Sequence, residues 1–373
     1  MPADRDVAVV LSGGAVNGVL LELGFLKRLR DSELWPRVGC IFGTSAGALS
    51  GTMAALDRLD DLEEFMLRLQ PADTFKPNRL WRLPLLGSHD YRLPETVSER
   101  LGDVVALAAE LRERDVELVV CATDVPAEHE NGGIHAYELV YSSKRTKPEE
   151  MAQAILASAA ISALVLPLRV GERIATDGAW VRNFPLGLAY DHSEVGLIVA
   201  FRYLPRYPPV TAEWMERLRR RLERFGRVPP VRALIEELRE GEERGRRGEP
   251  AHWGDMMIRL MRVAVLRNTL LEERYAQEKD DSIRELHSLR EDVLRLAGDD
   301  ELARAIDERF AAARFPFRHD RAVPRIMVRG AIGEVSLDAG LRRPAPWPDE
   351  AKRDLIQRGY ELLDVELRAG GFG

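Results

Sequence analysis

Gly43-Thr44-Ser45-Ala46-Gly47 stands between two runs of different character. Before it, Val38-Gly39-Cys40-Ile41-Phe42 is a short apolar run that reads as a buried strand. After the serine, the small-residue run from Ala46 to Leu56 reads as a helix. A strand, a glycine-flanked serine and a helix are the setting of a nucleophile elbow. The turn is sharp and bulky neighbours would clash, so glycines sit two residues either side of the serine. Its hydroxyl then projects above the sheet at the positive end of a helix. An ordinary strand-to-helix turn with a capping serine has the same local pattern, and the pentapeptide alone leaves both readings open.

The chain has 373 residues, 45% of them hydrophobic, and a net charge of −7. That length suits one large domain or two modest ones, and the charge gives no electrostatic case for nucleic acid. Cys40 and Cys121 each fall in a predicted buried strand. They fit neither a metal-ligand spacing nor a disulfide framework, which points to a reducing compartment and a cytoplasmic location. The N-terminus lacks the charged-then-apolar layout of a secretory signal. With no apolar run long enough to span a bilayer, any membrane contact is expected to be peripheral.

Upstream of the elbow, Asp6 to Leu11 reads as a first buried strand, and Ser12-Gly13-Gly14-Ala15-Val16-Asn17-Gly18 leads into a helix from about Val19 to Arg30. A glycine loop there points backbone N–H groups at whatever binds above it. The dinucleotide fingerprint fails, since Ala15 takes the place of its middle glycine, and no Gly-Lys-Ser/Thr follows for a phosphate loop. The remaining use is an oxyanion hole. Downstream, Glu117–Ala122 and Ile134–Tyr141 read as strands and Pro148–Ala160 as a helix. Arg173 to Ala179 ends on an Asp177-Gly178 turn, and Glu194–Phe201 is a further strand. Asp124, at the end of its strand, reads as a turn cap or as a second acidic group.

At Tyr203-Leu204-Pro205 the strands stop. Residues 205–319 are expected to be a helical insertion within one α/β domain formed by 1–204 and 320–373. In it, Trp214, Leu218, Leu222 and Phe225 recur at helical spacing among arginines and glutamates; 253–271 carries Met256, Met257 and Met261; and 272–297 is a long charged helix. Arg325–Val328 restores the strand pattern, and Asp349–Leu367 reads as a final helix.

Four segments in this order resemble the patatin-like phospholipase family: Leu11–Gly18 its glycine-rich loop, Gly43–Gly47 its elbow, Ala157–Leu168 its alanine-serine segment, and Asp177-Gly178-Ala179 with Asn183 and Pro185 its aspartate motif. The sequence departs from the family pattern at Ala15, where a third glycine is usual, at Asn17, where a basic residue is usual, and at Ser162, where proline is usual. The resemblance implies a three-layer α/β/α sandwich with a mostly parallel sheet. It implies a serine–aspartate dyad in which Ser45 attacks an ester carbonyl and Asp177 serves as general base without a histidine. The N–H groups of Gly13, Gly14 and Ala15 would form the oxyanion hole. The expected substrates are membrane phospholipids or other acyl lipids, with no cofactor and no metal.

Two other readings stand beside it. An α/β-hydrolase with a Ser-His-Asp triad would use one of the seven histidines, of which His192 and His319 lie near strand boundaries, but its elbow normally follows several strands rather than one. A lipid-binding protein with weakened catalysis would account for Ala15 and Asn17. For the insertion, the Trp214–Phe225 helix is a candidate membrane-facing element and the methionine-rich stretch a candidate acyl groove. Plain packing on the α/β core is the simpler role for either.

Overall fold

The computed structural model describes residues 5–78, 89–125, 137–161, 164–192, 194–203, 212–251, 253–313, 322–330 and 346–372. Ser162, His319 and the proline-rich stretch 204–211 lie outside these residues. Two compact units emerge, 1–204 with 268–373, and 205–267.

The first unit is built on an eight-stranded sheet of β1 (Val7–Leu11), β2 (Val38–Thr44), β3 (Glu117–Asp124), β4 (Glu138–Ser142), β5 (Leu168–Val170), β6 (Arg173–Asp177), β7 (Leu197–Tyr203) and β8 (Arg325–Gly330). Its order is β8-β7-β1-β2-β3-β6-β5, with β4 on the other edge of β3. Every pair from β8 to β3 is parallel, and β4, β5 and β6 join antiparallel. Every residue of β1 and β2 is buried, as expected of parallel strands covered on both faces. Val7, Val9 and Leu11 face one core, with Leu20, Leu21 and Phe25 of α1 (Ala15–Arg30) and Met53 of α2 (Ala46–Ala55). Ala8 and Val10 face another, with Phe184, Tyr190, Ala276 and Ile283. This alternation places helices on both faces and makes the unit an α/β/α sandwich.

Strand register puts two chain ends beside each other. β2 runs along β3 until Thr44 pairs with Cys121, and β6 runs the opposite way along β3 until Asp177 pairs with Ala122. β4 pairs with Val119 to Thr123, so it occupies the other edge, and β2 and β6 share one. The residue after Thr44 is Ser45.

Among the described residues, the second unit contains the α-helices α4 (Ala212–Leu222), α5 (Pro229–Arg246) and the start of α6 (Trp253–Leu296). Met215, Leu238 and Ala251 form its core, with Leu218 and Leu222 packed against them. The sequence reading separated 253–271 from 272–297 at a change in composition. The structure has one 44-residue helix there, because neither glycine nor proline occurs between Asp255 and Ala297 and the first breaker is Gly298 at φ 74°. From Asn268 onward α6 belongs to the first unit, where Ala276 and Ile283 pack on the sheet.

The last helix, α7 (Asp349–Ala369), crosses α1 backbone to backbone. A Cβ on Gly24 would lie 1.8 Å from the Ile356 carbonyl oxygen, and one on Gly359 would lie 1.9 Å from that of Leu21. In an open helix, Gly→Ala stabilises by about 0.5–1 kcal/mol. Here backbone atoms cannot rotate aside, so overpacking, at about 1–3 kcal/mol or more, outweighs that gain. Gly359→Ala is expected to lower the urea midpoint with an unchanged m-value; a raised midpoint would show that the helices part without cost.

Candidate active site

Ser45 links the end of β2 to the start of α2 at φ 54°, ψ −113°. A positive φ is rare for a residue with a Cβ, and here close packing enforces it. A Cβ on Gly43 would be 2.2 Å from the Gly47 carbonyl oxygen, and one on Gly47 would be 2.6 Å from that of Leu11. The two glycines of the motif are therefore needed for space, as the sequence suggested. The Ser45 N–H donates to Ser158 Oγ at 2.8 Å, and Ser158 Oγ–H donates to the Cys121 carbonyl at 2.6 Å. Ser158 is fully buried at the end of α3 (Pro148–Ser158), and it straps the strained turn to β3. Sequence reasoning flagged this serine only through the resemblance. Nothing local signals that its hydroxyl reaches a residue 113 positions away.

The Ser45 hydroxyl donates to Asp177 Oδ2 at 2.9 Å. Asp177 Oδ1 accepts the Ala179 N–H at 2.8 Å, and its carbonyl accepts Thr123 Oγ1–H at 2.7 Å. Both side chains are buried. Burial pushes the Asp177 carboxyl up to about 6, against the opposing effects of the Ala179 N–H and the Ser45 hydroxyl. Tyr91 is also pushed up, by burial and then by the charge of Asp177, and it donates to the Leu156 carbonyl at 3.0 Å.

The glycine loop lies against this pair. A Cβ on Gly13 would fall 3.2 Å from Ser45 Cβ and 2.4 Å from Asn183 Oδ1. Ala15 opens α1 at φ 49°, so alanine occupies a left-handed position that glycine fills more easily. The first amides of α1 lack acceptors within the helix. The Gly13 N–H is engaged differently, donating to the Asn183 carbonyl at 2.9 Å. Of the three expected oxyanion donors, the structure thus commits Gly13 to Asn183 and leaves Gly14 and Ala15 at the helix start.

Asp124 is buried and accepts from Arg173 at 3.2 Å, joining β3 to β6. The three histidines among the described residues each lie against an aromatic ring: His89 on Phe75, His192 on Phe42 and His287 on Phe310. Burial pushes both cysteine thiols up to about 12, which makes them inert packing groups. Among the described residues, no group of three His, Cys, Asp or Glu side chains is placed to hold a metal ion. No helix described is long and apolar enough to cross a membrane.

Residues 9–190 match the family model described as patatin-like phospholipase. Among solved structures, the crystal structure of VipD from Legionella pneumophila is similar to this chain. Identity is 13%, the match covers 98% of this chain and 67% of that one, and the TM-score is 0.42. None of the curated proteins compared with the chain matches it.

The raised Asp177 carboxyl sets a stability trend with a definite sign. The folded chain holds this proton more tightly than the unfolded chain does. Stability therefore falls as pH rises from the usual carboxylate range through about 6. Asp177→Asn is expected to raise the unfolding free energy above pH 7, by up to about 3 kcal/mol, and to change it little at pH 4. Denaturant titrations at both pH values check this; equal effects would mean that the carboxyl is not held dry.

Proposed function

We propose, on the match of residues 9–190 to the patatin-like phospholipase model, that the chain hydrolyses carboxylic ester bonds of phospholipids or related acyl lipids with Ser45 as nucleophile and Asp177 as general base. Patatin-like phospholipases act on lipid substrates, and acyl ester hydrolysis is the chemistry of that family. The observation that carries the finer reading is the 2.9 Å hydrogen bond from Ser45 Oγ to Asp177 Oδ2 at a strained, buried turn.

In the first step Ser45 Oγ attacks the ester carbonyl carbon while its proton passes to Asp177 Oδ2. The Gly14 and Ala15 amides receive the developing oxyanion, and each such donor contributes about 10²–10³-fold in turnover. Collapse of the tetrahedral intermediate breaks the ester C–O bond, and Asp177 returns the proton to the departing alcohol. Water then attacks the acyl-Ser45 ester, Asp177 takes its proton, and collapse releases the fatty acid with Ser45 reprotonated. A carboxylate with its basicity raised to about 6 is a better base than an exposed one and is still ionised at neutral pH.

For contact with a lipid surface, α6 is better suited than α4. In α4, Leu218 and Leu222 pack inside the second unit, and Arg219 and Arg220 pair with Glu242, Glu223 and Glu216. The Trp214 side chain lies outside the described residues. In α6, Met256, Met257, Leu260 and Val263 are exposed, and residues 256–271 contain three arginines and no acid, with Arg259 paired to Asp255 just before them. That composition matches an anionic bilayer surface.

Two tests follow. Ser45→Ala and Asp177→Asn should each reduce hydrolysis by on the order of 10⁴-fold or more, with the double variant little worse. The assay is a panel of phospholipids, galactolipids, acylglycerols and short aryl esters. A histidine-to-alanine variant that matched this loss while folding normally would replace the dyad with a triad. Substituting Met257, Leu260 and Val263 together with serine should weaken co-sedimentation with anionic vesicles and leave hydrolysis of a soluble short-chain ester unchanged. Undiminished sedimentation would remove α6 as the contact.

A further inference from the structure

Asn268, Thr269 and Glu272 lie on one face of α6, well beyond the residues that match the family model, and all three bond to the segment after Asp177. Asn268 Nδ2 donates to the carbonyls of Ala179 at 2.6 Å and Trp180 at 3.2 Å, and its Oδ1 accepts the Asn183 N–H at 3.1 Å. Thr269 Oγ1 accepts from Asn183 Nδ2 at 3.0 Å. Glu272 Oε2 accepts the Gly187 N–H at 2.7 Å, and its Oε1 pairs with Arg182, whose guanidinium also pairs with Glu138.

The segment held this way touches each part of the site. The Ala179 N–H donates to Asp177 Oδ1. The Arg182 carbonyl accepts from Thr44 Oγ1, next to Ser45, at 2.8 Å. The Asn183 carbonyl accepts the Gly13 N–H. Yet the segment has little regular structure of its own. Its helices, Ala179–Arg182 and Leu186–Asp191, are four and six residues long, too short to hold their shape unaided. Asn183 and Thr269 are buried, so water does not replace a lost bond there.

We infer that Asn268 and Thr269 are positioning residues, through which α6 fixes the base loop and the glycine loop relative to Ser45. This inference rests on the dyad reading. The segment carries both the partner of the Asp177 carboxylate and the anchor of the Gly13 amide, so a shift in it displaces the base and the oxyanion donors together. These bonds join one part of the protein to another, so the effect is expected on turnover.

The test measures kcat and KM on a soluble ester for the full chain and five variants. Thr269→Val and Asn268→Ala should each lower kcat by roughly 10- to 100-fold with KM within about twofold. Thr269→Ser keeps the acceptor and should retain most of the wild-type kcat, and Arg274→Ala, an exposed change on the same helix, should match wild type. Ser45→Ala should abolish turnover. If Asn268→Ala does not fold, the Thr269 pair decides. A wild-type kcat in Thr269→Val, or an equal loss in Thr269→Ser, overturns the positioning role while an inactive Ser45→Ala leaves the dyad standing. A fully active Ser45→Ala overturns both.

Discussion

Ser45 is held at a positive φ by contacts that leave no alternative. Gly43 and Gly47 pack backbone against backbone, and the Ser45 amide is tied through Ser158 to β3. Strain of this kind persists only where the surroundings over-determine it. Its result is a hydroxyl aimed along the sheet edge at the place where β6 ends. Because β2 and β6 meet head-on along one edge of β3, a serine hydroxyl from one end of the domain and a carboxylate 132 residues later come within a hydrogen bond. Neither needs a long loop to reach the other.

The same packing bears on the chemistry we propose. A carboxylate in water is too weak a base to activate a hydroxyl well, and most serine hydrolases insert an imidazole. Here burial raises the basicity of Asp177 while two donors, Ala179 N–H and Ser45 O–H, keep it oriented. The raised carboxyl predicts a less stable fold at neutral pH, as in exchanges between stability and activity. The α6 bonds to 179–187 and the close crossing of α1 and α7 then serve one end, a rigid frame around a strained turn.

Much of this was legible in the sequence because it is local. The apolar runs gave the buried strands, the glycine spacing gave the elbow, and Asp177-Gly178 marked the strand end opposite it. The helical stretch after Tyr203 also followed from composition, whereas the three-layer sandwich and the pairing of Ser45 with Asp177 were implied by the family resemblance. What stayed hidden depends on distant partners. The serine side chain of Ser158 looks like any helix-end serine until it meets Ser45. The Gly13 amide looks available until the Asn183 carbonyl takes it. The α6 polar cluster looks like a solvated helix face, since Asn268, Thr269 and Glu272 show no motif and their partners lie about 85 to 90 positions earlier. Composition placed a break in this helix where the chain has no residue that would make one.

The central claim is that Ser45 is the nucleophile and that a carboxylate alone activates it. The most direct measurement is covalent labelling of the full chain by a fluorophosphonate above pH 7, with the adduct mapped by peptide mass spectrometry. The account predicts one adduct, on Ser45, and labelling slowed by on the order of 10³-fold or more in Asp177→Asn. An adduct on another residue, or undiminished labelling of Ser45 in Asp177→Asn, would contradict it.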